Sequence, residues 1–372
     1  MKSNHYMITI TFALLLGGLT ALNAITPVKG FSESENRYLA TFPKFSREKL
    51  LDGTFNAEFE TYTTDQFPFR DAFIGLNVMS EYLVGKKDSN GVYFGEDGYL
   101  FEKVDTIKEQ QLEKNIQSLK TFFQTLMEKN ITPVAMIVPT APFILRDKLP
   151  SFATQYDQQL ILEKLEGALG DKFLNTLSIL SKNQNDDIYY RTDHHWTTKG
   201  AFFAYQQLCR HWEFVIPSED TYAKELVSDS FLGTVYSKVQ LPYIQTDSIY
   251  RYVADDGIHV TYDYEKESES LYQNDALAKR DKYAYFLDGN HAITEIKTNS
   301  ANGKHLLIIK DSFAHCFVPF LTANFETITM IDYRYFNGST KELLATQSIT
   351  DVLVLYNSIN FAEDTDFYAI KR

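Results

Sequence analysis

This sequence predicts an α/β fold, a largely parallel sheet layered between helices, and three observations predict it. An amphipathic stretch, 107–128, runs directly into a short apolar one, Ile131–Pro139. The same pairing of a short apolar run with a helical one recurs at "DIYYRT" (Asp187–Thr192), "HLLIIK" (His305–Lys310) and "TDVLVLY" (Thr350–Tyr356). These runs are apolar at successive positions, as strands covered on both faces must be.

The chain has 372 residues, of which 44% are hydrophobic, enough for one large domain with insertions or two ordinary ones. It opens with an uncharged apolar run from Met7 to Ile25 behind a single Lys2. Residues 1–25 are therefore expected to be a signal peptide or a membrane anchor, with the rest working outside the cytoplasmic membrane. Residues 26–90 mix apolar and charged side chains without sustained period, which predicts an arm around a core. "GVYFGEDGYLFE" (Gly91–Glu102) is two β-rich runs about Glu96-Asp97-Gly98, a hairpin signal. From 107 to 128, Leu112, Ile116, Leu119, Phe123 and Leu126 share one helical face. The main α/β domain is placed at 91–372. Within it, about 214–299 is rich in Tyr, Asp, Lys and Ser and reads as a β-rich insertion packed over one edge of the core. No internal repeat is evident.

The formal charge of −13 excludes a general nucleic-acid binder and repels any anionic polymer that does not meet a local basic cleft. Two cysteines, Cys209 and Cys316, are too few for a disulfide framework and are expected to be buried small hydrophobes.

Chemistry is concentrated in two places. In an open parallel sheet the working residues lie where strands end and helices begin. "YYRTDHHWTTKGA" (Tyr189–Ala201) and "LLIIKDSFAHCFVPFL" (Leu306–Leu321) both fit that position. A Ser312 at a strand end exposes its hydroxyl, with the N–H groups of the following helix aimed at a developing oxyanion. Serine needs a base at neutral pH, and imidazole suits the task. Asp193, two residues before His195 on an extended loop, lies on the side that can hold one tautomer of that ring. Asp193, His195 and Ser312 are thus the candidate triad.

These residues carry a resemblance. "TDHHWTTKGA" with "IIKDSFAHCFVPFL" resembles the DHHW family of bacterial proteins, itself similar to the SGNH-hydrolase-like domains of alginate O-acetyltransferases. "SESENRYLATFP", "DGTFNAEFETYTTDQFPFRD" and "GEDGYLF" also look like family stretches. The resemblance implies an SGNH-hydrolase-like (flavodoxin-like) three-layer α/β/α core, export, and acyl transfer to or from an extracellular polysaccharide. It matches Asp193 and His195 to the family's Asp-x-His and Ser312 to its serine. It also implies a membrane-bound acyl-carrying partner protein. Ordinary SGNH hydrolases place Asp and His after the serine, whereas here they come first, and the usual oxyanion-donor Gly and Asn blocks are not identifiable.

Plainer readings stand beside these. Asp311 and Ser312 are good helix caps. Asp193, His194 and His195 are plausible zinc ligands, but no further His or Cys has a persuasive spacing, so neither metal nor cofactor is expected. Trp196 either stacks on a sugar or closes the core, the commoner fate of so large a ring. Arg334, in "IDYRYFN", is a candidate for binding a carboxylate or an oxyanion. Three functions follow: an exported O-acetyltransferase, a carbohydrate esterase or deacetylase with the same triad, and a non-catalytic polysaccharide-binding or scaffold protein.

Overall fold

The computed structural model describes residues 2–32, 37–254 and 256–372. Within the family-like stretch Ser32–Pro43, Glu33–Asn36 therefore lie outside the described residues. The chain divides into two compact units, residues 1–89 with 237–243, and residues 90–236 with 244–372.

In the first unit α1 (Lys2–Ile25) contains an 18-residue window, Tyr6–Asn23, of mean hydropathy 1.6 with none of it buried. By length and composition it can cross a membrane. Three helices follow, α2 (Arg47–Leu51), α3 (Thr54–Asp65) and α4 (Arg70–Leu83), where the sequence showed no helical period. The reason is physical: these helices are set by polar anchors and bury few residues. Ser46 accepts from Lys49 N, Asp52 accepts from Thr54 N, and the Asp65 carboxylate takes two Arg37 donors and the Ala40 N–H. Phe69, Phe73 and Leu76 stay exposed, so no apolar stripe marks the elements in advance.

The second unit carries the sheet. β1 (Val92–Phe94) and β2 (Leu100–Glu102) form the expected hairpin, with Asp97 at φ +53° in its turn. α5 (Glu109–Glu128) leads to β3 (Thr132–Val138), and α6 (Gln159–Leu169) and α7 (Thr198–His211) follow. β4 (Glu225–Phe231) and β5 (Asp247–Arg251) make a separate antiparallel ribbon. The central sheet is completed by β6 (His259–Tyr262), β7 (Lys266–Ser268), β8 (Ile293–Lys297), β9 (His305–Lys310), β10 (Thr327–Ile331) and β11 (Asp351–Asn357).

Its order is β7-β6-β8-β10-β9-β11-β3. β10, β9, β11 and β3 run parallel, while β8, β6 and β7 extend the sheet antiparallel. The middle segment therefore does more than pack over an edge: three of its strands continue the sheet, and β8 pairs the N–H and C=O row of β10 that would otherwise be an edge. Alternate strand residues face two cores. Val134, Met136, Leu306, Ile308 and Leu353 pack with α7 residues Ala201, Phe202 and Tyr205. Ala135, Ile137, Leu307, Ile309 and Val352 pack with α5 and α6 residues Leu112, Leu119, Ile161 and Leu165. Each fully buried aliphatic contributes about 1.5–3 kcal/mol, so both faces are strongly held.

Two local expectations are corrected. "DIYYRT" is not a sheet strand: Tyr189 makes one bridge to Trp196, and Tyr190 N donates to His195 O, so the segment closes on itself. Ser312 opens a three-residue 3₁₀ turn, Ser312–Ala314, and a helix begins only at Val318.

Candidate active site

The loop bearing Asp193 is shaped by a buried carboxylate. Asp247, at the start of β5, accepts from Arg191 N (2.8 Å), Thr192 N (2.8 Å) and Thr192 Oγ1 (2.6 Å). These bonds replace the ladder that the segment lacks. Gly233 N donates to Thr192 Oγ1 at 3.1 Å, and a Cβ on Gly233 would lie 2.2 Å from Asp193 Cβ. Only glycine fits that approach.

Asp193 is thereby fixed, with 2% of its surface exposed. Its Oδ2 accepts from Thr234 N (2.8 Å) and Thr234 Oγ1 (3.0 Å), and its Oδ1 from His195 N (2.9 Å). The same Oδ1 is 2.5 Å from His195 Nδ1, and His195 Nε2 is 2.7 Å from Ser312 Oγ. The structure thus brings Asp193, His195 and Ser312 into one hydrogen-bonded line across 117 residues of sequence. The carboxylate fixes the proton on Nδ1, which leaves Nε2 to accept from the hydroxyl.

Burial opposes ionisation of Asp193, but the His195 and His194 rings and the Thr234 N–H outweigh it and hold the carboxyl well below its ordinary range. Burial, with His194 beside it, pushes the His195 imidazole down to about 4 against the opposing pull of Asp193. At neutral pH the pair is a carboxylate and a neutral base.

Asp311 and Ser312 divide the roles expected of them. Asp311 is the cap: its Oδ1 accepts from Phe313 N, and its Oδ2 from Asn357 N, Asn357 Nδ2 and Asn360 Nδ2, each at 2.9 Å. Four donors satisfy this buried carboxylate and clamp the turn against the end of β11. Ser312 Oγ is left for His195, with 8% of the residue exposed. A cleft of about 50 Å³ opens beside Asp193 and His194, bordered by Asn357, Asn360, Phe101 and Val235.

Other candidates fall elsewhere. Trp196 is 0% exposed, donates from Nε1 to Phe313 O at 2.8 Å and stacks on Phe317. The sugar-stacking reading of Trp196 is therefore corrected: it is a core residue that joins the two loops. Arg334 binds a carboxylate of its own chain, through Nε to Asp332 Oδ1 at 2.8 Å and Nη2 to Asp332 Oδ2 at 2.5 Å. Its fork is occupied. His315 is buried and lies 2.9 Å from Lys310 Nζ. Cys209 and Cys316 are free and buried.

Asp193, His194 and His195 have donor atoms within 4.8 Å of one another, the spacing of a metal group. Those atoms are already engaged: His195 with Asp193 and Ser312, and His194 Nδ1 with Thr234 Oγ1 at 2.6 Å. A metal bound through these atoms would compete with those bonds.

Sequence reasoning missed Tyr283. Its ring lies on His195 with centroids 3.8 Å apart and planes 13° apart, and its hydroxyl donates to Ser312 O at 3.2 Å. Nothing local in "RDKYAYF" announces this, because the contact joins the middle segment to both loops. Asp247, Gly233 and Thr234 escaped for the same reason.

Comparison with known proteins then bears on fold and family. The profile of the DHHW protein family matches residues 35–118 and 111–331. The probable alginate O-acetylase AlgJ of Pseudomonas syringae pv. tomato is 26% identical over 182 residues, 46% of this chain and 46% of that one. This chain spans about half the length of the curated relatives it matches. A solved DHHW family protein from Eubacterium siraeum gives a TM-score of 0.66 at 24% identity, covering 76% of this chain and 95% of that one. Bacillus cereus PatB1, solved with a sulfonyl adduct, gives 0.64 at 21% identity, covering 76% and 100%. The α/β core is of this SGNH-hydrolase-like kind.

Proposed function

The chain belongs to the DHHW family, and on that premise we propose that it is an exported O-acyltransferase acting on a hydroxyl of a cell-surface or extracellular polysaccharide. The observation that carries the reading is the line Asp193 Oδ1, His195 and Ser312 Oγ, with its 2.5 Å and 2.7 Å links.

In the first half-reaction His195 Nε2 takes the Ser312 proton as Oγ attacks the acyl carbonyl. The tetrahedral adduct collapses, the leaving group takes the proton from His195, and an acyl ester remains on Ser312. In the second, His195 takes a proton from a glycan hydroxyl, that oxygen attacks the ester, and Ser312 recovers its proton. Asp193 holds the ring's tautomer and stabilises the imidazolium formed in each half. Residues 91–372 would carry this chemistry. α1, as anchor or signal, would place it outside the cytoplasmic membrane. There a membrane-bound acyl-carrying partner would supply the donor.

The test is mass spectrometry of the protein mixed with a small activated acetyl ester, beside Ser312→Ala. An acetyl adduct on Ser312, absent from the variant and discharged faster by an oligosaccharide than by water, is expected. Turnover by Ser312→Ala should fall on the order of 10⁴-fold or more. Discharge by water regardless of sugar makes the protein an esterase, and no adduct with any donor makes it a binding protein.

A further inference from the structure

We propose that Arg280, with Lys279 and Lys282 beside it, forms a subsite for an anionic oxygen group of the acceptor glycan, a carboxylate or a phosphodiester. The proposal rests on the acyl-transfer reading for the identity of the acceptor, and on independent observations for the subsite.

Arg280 is a half-buried guanidinium without a counter-ion among the described residues. Its Nε and Nη2 are buried and have no hydrogen-bond partner among the described residues. Other partly buried arginines of this chain each meet a carboxylate: Arg334 meets Asp332, Arg191 meets Asp187, and Arg37 meets Asp65. Arg280 meets the Tyr236 ring instead, with its guanidinium carbon 4.9 Å from the centroid. Stacking fixes the plane of the fork without neutralising its charge or using its N–H donors. Desolvated donors left unpaired are costly, so the position is explained by a ligand that completes it.

The place is the rim of the candidate active site. Tyr236 N donates to Thr192 O at 2.9 Å, and Thr192 precedes Asp193. Three residues beyond Arg280, Tyr283 lies on His195. Between them lies Asp281, whose carboxyl pKa is raised from its ordinary value by burial and the nearby Asp193 charge; no ion pair joins it to Arg280 among the described residues. Lys282 Nζ donates to Ser228 Oγ (3.2 Å) and Ser230 Oγ (2.7 Å), both neutral hydroxyls. In a chain of net charge −13, Lys279, Arg280 and Lys282 bring three cations into one four-residue stretch that holds a single carboxylate, Asp281. An anionic polymer repelled elsewhere would be drawn there, and the planar fork matches a carboxylate or phosphate in two-point contact.

The test uses the full chain in detergent, carrying Ser312→Ala so that binding is read without turnover. Calorimetric titrations are made with a uronate oligosaccharide, a glycerol phosphate oligomer and an uncharged β-glucan oligosaccharide. One anionic probe is expected to bind, and which one does so separates carboxylate from phosphodiester. Arg280→Gln should weaken it about tenfold to a hundredfold. Arg280→Lys should restore part of the loss, and added salt should weaken binding by the unsubstituted residue. Equal binding of the uncharged probe, no anionic binding, or an unchanged Arg280→Gln overturns the subsite. Should Arg280→Gln lose its near-ultraviolet circular dichroism, Arg280→Lys and the salt titration still decide. Failure here is distinct from failure of the acyl-transfer reading: an acetyl adduct on Ser312 without anion binding sinks only the subsite. Anion binding without an adduct sinks only the chemistry.

Discussion

His195 meets three demands with one ring: Nδ1 on Asp193, Nε2 on Ser312, and a face covered by Tyr283. The cost of this burial is a basicity pushed down to about 4. If His195 is the general base, the rate with a small ester is lost as pH falls through the folded-state value. A pH–rate profile should thus show its acid limb well below the ordinary histidine value of about 6.5. An acid limb at or above that value would remove His195 from the role. The same shift acts on stability. Between about 6.5 and 4 the unfolded chain binds a proton at His195 that the folded chain does not, so stability falls as pH drops through that window, by at most about 3–4 kcal/mol. Urea unfolding at pH 7 and pH 5 reads this directly. Asp193→Asn would leave the loop in place but favour the wrong tautomer, and a loss on the order of 10⁴-fold in kcat is expected. The Asp-x-His spacing could be read in the sequence because two residues on one loop are neighbours whatever surrounds them. The fate of Trp196 could not, since core and sugar platform differ only in what covers the ring.

At the scale of elements, the site hangs on contacts between segments far apart in sequence. Gly233 lies against Asp193 so closely that Gly233→Ala must shift the carboxylate or its own loop. A loss of about 1–3 kcal/mol in unfolding free energy is expected from the overpacking, with a larger fall in ester turnover than in stability. Stability lost with turnover intact would show that Asp193 tolerates displacement. Tyr283 gives a second case. Tyr283→Phe keeps the ring on His195 and loses the hydroxyl's bonds to Ser312 O and the Cys316 thiol, whereas Tyr283→Leu uncovers the imidazole. The acid limb of the pH–rate profile should stay in place for the first and rise toward the ordinary histidine value for the second. Strands such as β3, β9 and β11 were legible because burial on both faces writes a continuous apolar run. α2, α3 and α4 were not, because helices that bury few residues write no period.

For the whole molecule, a mixed sheet brings the loop after "DIYYRT" and the turn after β9 to the same place. The middle segment lengthens the sheet and delivers Tyr283 and Arg280 to that place. α1 is apolar enough to cross a membrane, and the proposed export makes a checkable statement. Alkaline phosphatase fused after Arg372 should be active in intact cells, and replacing Leu14, Leu15 and Leu16 by Glu should abolish that activity. Equal activity of the two fusions would remove α1 from any part in export.

The sequence by itself determined the α/β class, the long apolar N-terminal run, the strands buried on both faces and the two motifs, because period, charge and local spacing are properties of neighbouring residues. Only the tertiary structure decided that three strands of the middle segment join the sheet. It alone decided that Asp311 caps while Ser312 faces His195, that Trp196 is core and Arg334 occupied, and that Arg280 has no counter-ion among the described residues. Most of these turn on which distant groups satisfy a buried donor, acceptor or charge, and a linear pattern carries no record of that pairing.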